Sequence, residues 1–159
     1  MEVVNAVYRG DLERNIDLPL LHKNLTGSVL YTHKPNMVVL KDTESAIMIF
    51  SSGKFRIMGL VDELDATCKV YGVFAKLGFE FPNITLQTMT VKLKLNPVNL
   101  YAVSDKIKSK LDLEIFPALM ITKYKPVSVN LFASGAVVIC GVKSFDIVNE
   151  IEHDLKLIV

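Results

Sequence analysis

Residue types that commonly carry catalysis or hold metal ions are few in this sequence, and they lie far apart. The three histidines are His22, His33 and His153, and the two cysteines are Cys68 and Cys140. Zinc sites, disulfide frameworks and nucleophilic centres need such side chains at characteristic spacings. We therefore expect no enzymatic activity, no metal and no cofactor. Two isolated cysteines in apolar surroundings also fit a reducing compartment.

The chemistry that the sequence repeats is non-covalent. The segment IFSSGKFRIMG (residues 49–59) has a counterpart in LFASGAVVICG (residues 131–141). Both contain Phe-x-Ser-Gly, then five residues, then a second glycine. Phe132 lies 82 residues after Phe50, and both glycines of the second copy keep the same offset. Duplication of about half the chain is the simplest explanation.

The flanks of the two segments predict the same elements in each half. Each half opens with a strand, VVNAVY or TLQTMTVKLKL, and a helix at residues 17–25 or 98–110. Enrichment in Val, Ile and Phe predicts the strands MVVLK, SAIMIF and KFRIM in the first half and ALMITKY, VSVNLF and AVVIC in the second. A long amphipathic helix then follows each segment. The packed stripes are expected to be Val61, Leu64, Cys68, Tyr71 and Ala75, and Val148, Ile151, Leu155 and Ile158.

This element order predicts an α+β fold made of two repeats, residues 1–79 and 80–159, in one domain over residues 1–159. The strands are expected to join in one antiparallel sheet with both long helices on one face, which leaves the other face bare. Strand alternation places these residues on the bare face of the first repeat: Ala46, Met48, Phe50, Arg56 and Met58. The matching set in the second repeat is Asn130, Phe132, Val138 and Cys140. An apolar surface of that size is a binding surface, or else a tail or a dimer partner covers it.

Composition limits the classes of partner. Lys and Arg number 18 and Asp and Glu 17, so the net charge is only +1, lower than simple basic nucleic-acid binders usually show. The N-terminal residues MEVVNAVYRGD do not look like a signal peptide. No stretch approaches the roughly 20 apolar residues of a membrane span, so we expect no membrane association.

Taken together, these segments resemble the saddle domain of the TATA-binding protein family over nearly the whole chain. The pieces that carry the resemblance are IFSSGK with the later Gly59, EIFPALMITKYKP, LFASG, CGVKS and KLGFE. The resemblance implies a pseudo-symmetric saddle whose concave sheet lies on the DNA minor groove. Phenylalanine pairs, one pair in each repeat, would wedge into base steps and kink the duplex.

The resemblance assigns the wedge positions residue by residue. Phe50 and Phe132 match the strand wedges of the first and second repeats, and Phe116 matches the second wedge of the second repeat. Its counterpart in the first repeat is expected to be Met37, after which the chain is shorter than in the family. Methionine is also a known wedge residue.

Other groove and backbone contacts are only partly retained. Val138 matches an apolar groove contact, Met58 and Cys140 replace threonines, and Arg56 replaces an apolar contact. Lys54 and Lys143 keep the family's basic positions, whereas Val61 and Ala136 replace lysines. We therefore expect fewer phosphate contacts and a weaker salt dependence of DNA binding.

The family also has two asparagines near the saddle centre that bond to base edges. Thr88 occupies the second of these positions. The first falls near Glu2, although a shifted register would place Asn5 there. A glutamate would be unfavourable in a groove that is lined with hydrogen-bond acceptors.

The family's partners suggest further contacts. Asp112 and Glu114 precede Phe116 at the spacing of acids that contact the TFIIB-type factor in the family. The first interpretation is therefore a TATA-binding-protein-like initiation factor that binds AT-rich double-stranded DNA, a TFIIB-like factor and the RNA polymerase initiation machinery. The alternatives are a saddle-fold module that has lost DNA and binds protein, and a component of a nucleic-acid enzyme. The divergence suggests a viral or protist source, hence the nucleus or a viral compartment, or the cytoplasm for a prokaryotic-type source.

Overall fold

The computed structural model of the chain describes residues 1–80 and 82–159, which contain nine strands and four helices. The first half contains β1 (Glu2–Asp11), α1 (Leu18–Asn24), β2 (Val29–Tyr31), β3 (Met37–Lys41), β4 (Ala46–Phe50), β5 (Lys54–Met58) and α2 (Glu63–Lys76). The second half contains β6 (Thr85–Lys94), α3 (Leu100–Ile107), β7 (Ala118–Ile121), β8 (Ser128–Phe132), β9 (Ala136–Val142) and α4 (Phe145–Ile158). The predicted order of elements is confirmed, with the short strand β2 as an addition.

Both short helices begin at a side-chain cap. The carboxylate of Asp17 accepts a hydrogen bond from the Leu20 backbone N–H at 3.0 Å, which starts α1 at the predicted place. Asn99 does the same for α3, accepting from the N–H groups of Tyr101 and Ala102. Lys108 has a left-handed backbone (φ 50°) that ends α3. Because Asn99 caps its start and Lys108 its end, the helix is shorter at both ends than the predicted range 98–110.

The residues Asn5–Gln87 form one compact unit. Its strands lie in the order β2-β3-β4-β5-β1, and neighbouring strands are antiparallel. Helix α2 covers one face of these strands, and the ring of Phe74 packs 4.8 Å from the ring of Phe55 in β5. Both rings are 1% exposed, so this contact lies at the centre of the unit's core.

The stripe predicted for α2 is wrong. The side chains of α2 that are buried follow another row, at four-residue steps: Ala66, Val70 and Phe74. Leu64 is 70% exposed and Cys68 is exposed. Both rows have helical periodicity, and the fit of a phenylalanine ring against Phe55 decides which one faces the strands. That fit is a tertiary property that spacing alone does not contain.

The second compact unit consists of Met1–Val4 and Thr88–Val159. Its strands β6-β9-β8-β7 are antiparallel, and the predicted stripe of α4 is confirmed, with Val148, Ile151 and Leu155 all fully buried. A bulge in β9 changes the strand's alternation, because Thr90 pairs with Cys140 and Met89 with Val142, leaving Gly141 as the extra residue (φ +81°).

Candidate nucleic-acid interface

The strands of the unit Asn5–Gln87 have one buried and one accessible face. Cross-strand pairs on the buried face join Ile47 to Ile57 and Ile49 to Phe55, and these side chains are at most 1% exposed. The intervening side chains point the other way. We call the surface they form the first open face: Asn5, Val7, Arg9, Met37, Val39, Met48, Phe50, Arg56 and Met58.

The predicted wedge Phe50 lies on the first open face, and Met37 is its direct cross-strand neighbour. Met37 is nevertheless not the counterpart of Phe116. In the second repeat the residue paired with Phe132 is Ala118, two positions after Phe116. By the same register the counterpart of Phe116 is Pro35, which is exposed and is also of a wedge type. Met37 thus lies beside the predicted wedge site rather than at its second position.

The second unit has a corresponding accessible face. Leu119, Leu131 and Val137 are fully buried on the covered side. We call the surface on the other side, formed by the alternate strand residues and the adjoining Phe116, the second open face: Thr88, Thr90, Lys92, Phe116, Met120, Asn130, Phe132, Val138 and Cys140. The predicted residues Thr88, Val138 and Cys140 therefore share a face with both predicted wedges of this repeat.

The rings of Phe116 and Phe132 are in contact, with centroids 6.3 Å apart and ring planes at 57°. The loop before β7 holds Phe116 in place through Asp112. The carboxylate of Asp112 accepts from the N–H groups of Glu114 and Ile115, and its carbonyl accepts from the N–H of Phe116 at 3.1 Å. Asp112 thus has a structural role in presenting a ring that is still 37% exposed.

Register decides between the two candidates for the first asparagine position. Val7 pairs with Met58 in the first repeat, as Thr90 pairs with Cys140 in the second, so Asn5 corresponds to Thr88. The Oδ1 of Asn5 also accepts a hydrogen bond from the Gly59 N–H at 3.2 Å. Glu2 alternates onto the opposite side of β1, the side of Ala6 and Tyr8, which are buried. The register therefore favours Asn5 over Glu2 for this position, and a contact of Asn5 with base edges stays a prediction.

The predicted basic residues are exposed but do not lie together. Lys54 and Arg56 both lie on β5, and the guanidinium carbon of Arg56 is 5.9 Å from the Phe50 ring centroid. Lys143 directly follows β9, at the opposite end of that strand from Phe132. Lys54 and Arg56 thus belong to the unit Asn5–Gln87, and Lys143 belongs to the second unit.

A cleft of about 1110 Å³ opens at one end of the first open face. Phe50, Arg9, Arg56 and Lys54 line it together with residues of the segment that follows α2. The Oε1 atom of Gln87 in the cleft is buried and has no hydrogen-bond partner within the described part of the chain. The cleft is thus lined by cations, by the carboxylates of Asp11, Glu13 and Glu80, by an aromatic ring and by an unused acceptor.

The titratable groups with shifted pKa values belong to structural contacts outside the open faces. A hydrogen bond from Lys69, and then backbone N–H groups, lower the pKa of Asp42. Burial, and then a hydrogen bond to Asp154, raise the pKa of Tyr124 to about 12.

Within residues 1–80 and 82–159, no group of three or more His, Cys, Asp or Glu side chains is placed to hold a metal ion. The same residues contain no helix that is both long and apolar enough to cross a membrane.

Comparison with known proteins agrees with this geometry. A family profile described as "Transcription factor TFIID (or TATA-binding protein, TBP)" matches residues 1–77. The TATA-box-binding protein of Methanosphaera stadtmanae is 32% identical, over 92% of this chain and 86% of that protein. The chain belongs to the TATA-binding protein family. The TATA-box-binding protein of Methanococcus maripaludis strain C7 is 30% identical over the same shares of the two chains.

The fold of the family extends over the whole chain. The solved structure of Methanococcus jannaschii TBP matches with a TM-score of 0.84 and 27% identity, covering 99% of this chain and 96% of that one. The α+β TATA-binding-protein fold predicted from the sequence is thereby confirmed. The family is one of transcription factors, so the chain is a TATA-binding-protein-like transcription factor.

Sequence reasoning missed several side chains of the open faces. Val7 and Arg9 alternate with the buried Ala6 and Tyr8, and Met120 is 51% exposed opposite Asn130. The signal for Val7 and Arg9 was present in the alternation of VVNAVYRG, once the register is anchored on Asn5. The signal for Pro35 was not present, because its position depends on the pairing of β3 with β4.

Proposed function

We propose that this chain is a transcription initiation factor that binds AT-rich double-stranded DNA in the minor groove and bends it. The observation that carries the proposal is the contact between Phe116 and Phe132 on an accessible sheet face. The two proposed repeats, residues 1–79 and 80–159, would each supply one wedge site. We expect no enzymatic activity.

The physical argument rests on the mismatch between apolar strands and water. Large exposed apolar surfaces on soluble proteins usually mark binding sites. A minor groove that is opened by unstacking presents sugars and base faces, which apolar side chains contact well. Unstacking costs a few kcal/mol per base step, and the larger contact made with bent DNA offsets that cost. The aromatic pair supplies the wedge, while Val138 and Cys140 lie on the same face.

The first test is a fluorescence titration that reports DNA bending. AT-rich and GC-rich duplexes would be titrated with the purified protein at low and moderate salt. We expect bending of the AT-rich duplex and weaker binding of the GC-rich control. If the protein binds no duplex at low salt, DNA binding by the chain alone is wrong, and the protein-binding alternative would take its place.

The two native thiols provide a second test without mutation. Cys140 lies on the second open face, whereas Cys68 is exposed on α2. We expect an AT-rich duplex to slow alkylation of Cys140 and to leave Cys68 unchanged. Protection of Cys68 alone would contradict docking through the open face. Because the chain contains no other cysteine, Cys68 is the internal control.

We further propose that Glu114 contacts a TFIIB-like factor and thereby the RNA polymerase initiation machinery. Glu114 and Ile115 are exposed beside Phe116, and Ile115 is 82% exposed. The sharper variant is Glu114→Lys, because reversal at Asp112 would also disturb the turn that Asp112 holds. Glu150→Lys, an exposed position on α4, makes the same charge change. Equal recruitment of the factor by both variants in a pull-down would refute the contact.

The cellular compartment follows from the DNA that the protein serves. The relatives named above are archaeal proteins, which favours a cell without a nucleus and lends no support to a nuclear or viral compartment. We propose that the chain acts wherever its own genome is transcribed.

A further inference from the structure

Two arginines face each other across β1 and β5. Arg9 and Arg56 are direct cross-strand partners, and both are exposed on the first open face. Like charges in directly opposed positions of an antiparallel pair destabilise it. Because the repulsion between Arg9 and Arg56 destabilises the free protein, an anionic group that compensates both charges would stabilise it.

No acid neutralises this pair within the described part of the chain. The ion pairs found there join Asp42 to Lys69, Asp154 to Lys123 and Glu152 to Lys156. Asp11 lies on the same strand as Arg9, but it pairs across the strands with Lys54, and its Oδ1 accepts from the Glu13 N–H at 2.8 Å. Glu13 and Glu80 also line the cleft, and no hydrogen bond or ion pair joins either of them to the two guanidinium groups.

The two arginines line an open cleft beside the Phe50 ring. Arg9 and Arg56 line the cleft of about 1110 Å³ together with Phe50 and Lys54. A further cation of the cleft, Arg14, lies with its guanidinium 4.3 Å from the Phe79 ring centroid. Arg56 therefore presents its donors beside the Phe50 ring, and Arg9 lies opposite it on the neighbouring strand and lines the same cleft.

The second repeat has no pair of opposed arginines at the equivalent position. By the strand register, Arg9 corresponds to Lys92 and Arg56 to Val138, which are themselves cross-strand partners. The equivalent pair therefore carries one positive charge where the first repeat carries two. The two open faces therefore differ in charge at this pair. They differ at the adjoining pair as well, where Asp11 opposite Lys54 corresponds to Lys94 opposite Ala136.

We propose that Arg9 and Arg56 bind two neighbouring phosphodiester groups, one on each guanidinium, and thereby anchor the first repeat on the DNA backbone beside Phe50. This inference rests on the proposed DNA binding. It adds that the bound group is a phosphodiester, that Arg9 acts together with Arg56, and that the second repeat has no equivalent pair of arginines. Guanidinium groups suit the site because each presents several donors in a fixed plane that matches phosphate oxygens.

The test measures how DNA affinity depends on salt. The double variant Arg9→Gln with Arg56→Gln removes two phosphate contacts, so the slope of log K against log salt should become shallower by about 1.8. Between 50 and 200 mM salt the wild type should then lose about twelvefold more affinity than the variant does. Lys92→Gln should change the slope by no more than about 0.9.

A matched control separates the site from net charge. The double variant Lys23→Gln with Lys76→Gln removes two charges from the ends of α1 and α2 in the same unit. Its slope should equal that of the wild type. If the arginine variant also keeps the wild-type slope while the wild type still bends AT-rich DNA, the site is refuted and the proposed function stands. If the wild type binds no duplex, both fail.

A second measurement needs no DNA. Removing one member of a repelling pair should raise the thermal midpoint of the free protein, so Arg9→Gln should melt above the wild type at low salt. The difference should shrink at 1 M salt, where the screening length falls to about 3 Å. A lower midpoint for Arg9→Gln at low salt would show that Arg9 has an attractive partner in the free protein, and would overturn the proposal.

Discussion

Replacing the aromatic pair with Phe116→Ala and Phe132→Ala should separate DNA bending from folding. The centroids of the two rings are 6.3 Å apart, and such an aromatic contact contributes about 0.5–1.5 kcal/mol to stability beyond the area it buries. Phe116 is already 37% exposed, so truncating it loses only part of the about 1.5–3 kcal/mol that full burial of such a side chain provides. We expect about 1–2 kcal/mol of lost stability for each ring. For a chain of this size that is a fall in melting temperature of about 2–8 °C per substitution.

The effect on bent DNA should be larger. Without the wedges no side chain fills the unstacked base steps. We expect this loss to weaken binding of bent DNA by about 3 kcal/mol, which is about 150-fold in affinity. The assay is the bending-sensitive titration of an AT-rich duplex, with calorimetry of the free protein alongside. Both variants should melt cooperatively and fail to bend DNA.

The neighbouring Leu131 provides the matched control. It is fully buried on the covered side of the same strand as Phe132. Leu131→Ala should cost about 2–5 kcal/mol of stability, yet the fraction that remains folded should bend DNA normally. If the phenylalanine variants bend DNA like the wild type, or if their loss of bending only follows a loss of fold, the wedge argument is refuted.

Two further predictions concern the framework of the first repeat. Gly59→Ala should destabilise the protein in a thermal melt, because Gly59 has φ +99° and an added Cβ would lie 2.2 Å from the Glu44 carbonyl oxygen; an unchanged midpoint would contradict this geometry. Asp42→Asn should lower stability near neutral pH, because the Asp42 carboxylate accepts hydrogen bonds from the Ser45 N–H and from Lys69, and Lys69 foremost lowers its pKa. Because the pKa of Asp42 is lower in the folded than in the unfolded protein, the charged carboxylate stabilises the fold at pH values above the ordinary pKa of aspartate, about 4. The difference in stability between the variant and the wild type should therefore shrink as the pH falls below that value. A difference that persists at acid pH would point to lost packing instead.

The repeat itself was readable from the sequence because local rules produce it. The Phe-x-Ser-Gly turn, the strand composition and the helix caps act within a few residues of one another. Those rules predicted the order of elements in both halves and the packed stripe of α4. They also placed Phe50, Met58, Val138 and Cys140 on accessible strand faces, since side chains alternate along a strand.

Errors arose where two local solutions were equivalent. Helix α2 has two apolar rows, and only packing against Phe55 selects the row that contains Phe74. In the same way, the choice between Glu2 and Asn5 depends on the pairing of Val7 with Met58. Single-residue shifts of register exchange the two faces of a strand, so an error of this kind changes the expected chemistry completely.

The sequence by itself thus determined the repeated order of elements, the fold class and the apolar character of one sheet face. Tertiary structure decided which side chains meet on that face. The contact of Phe116 with Phe132 joins a loop to a strand, and the opposition of Arg9 to Arg56 joins strands at distant places in the chain. Such juxtapositions depend on long-range pairing, whose register is set by the packed core as a whole and not by the residues that it brings together.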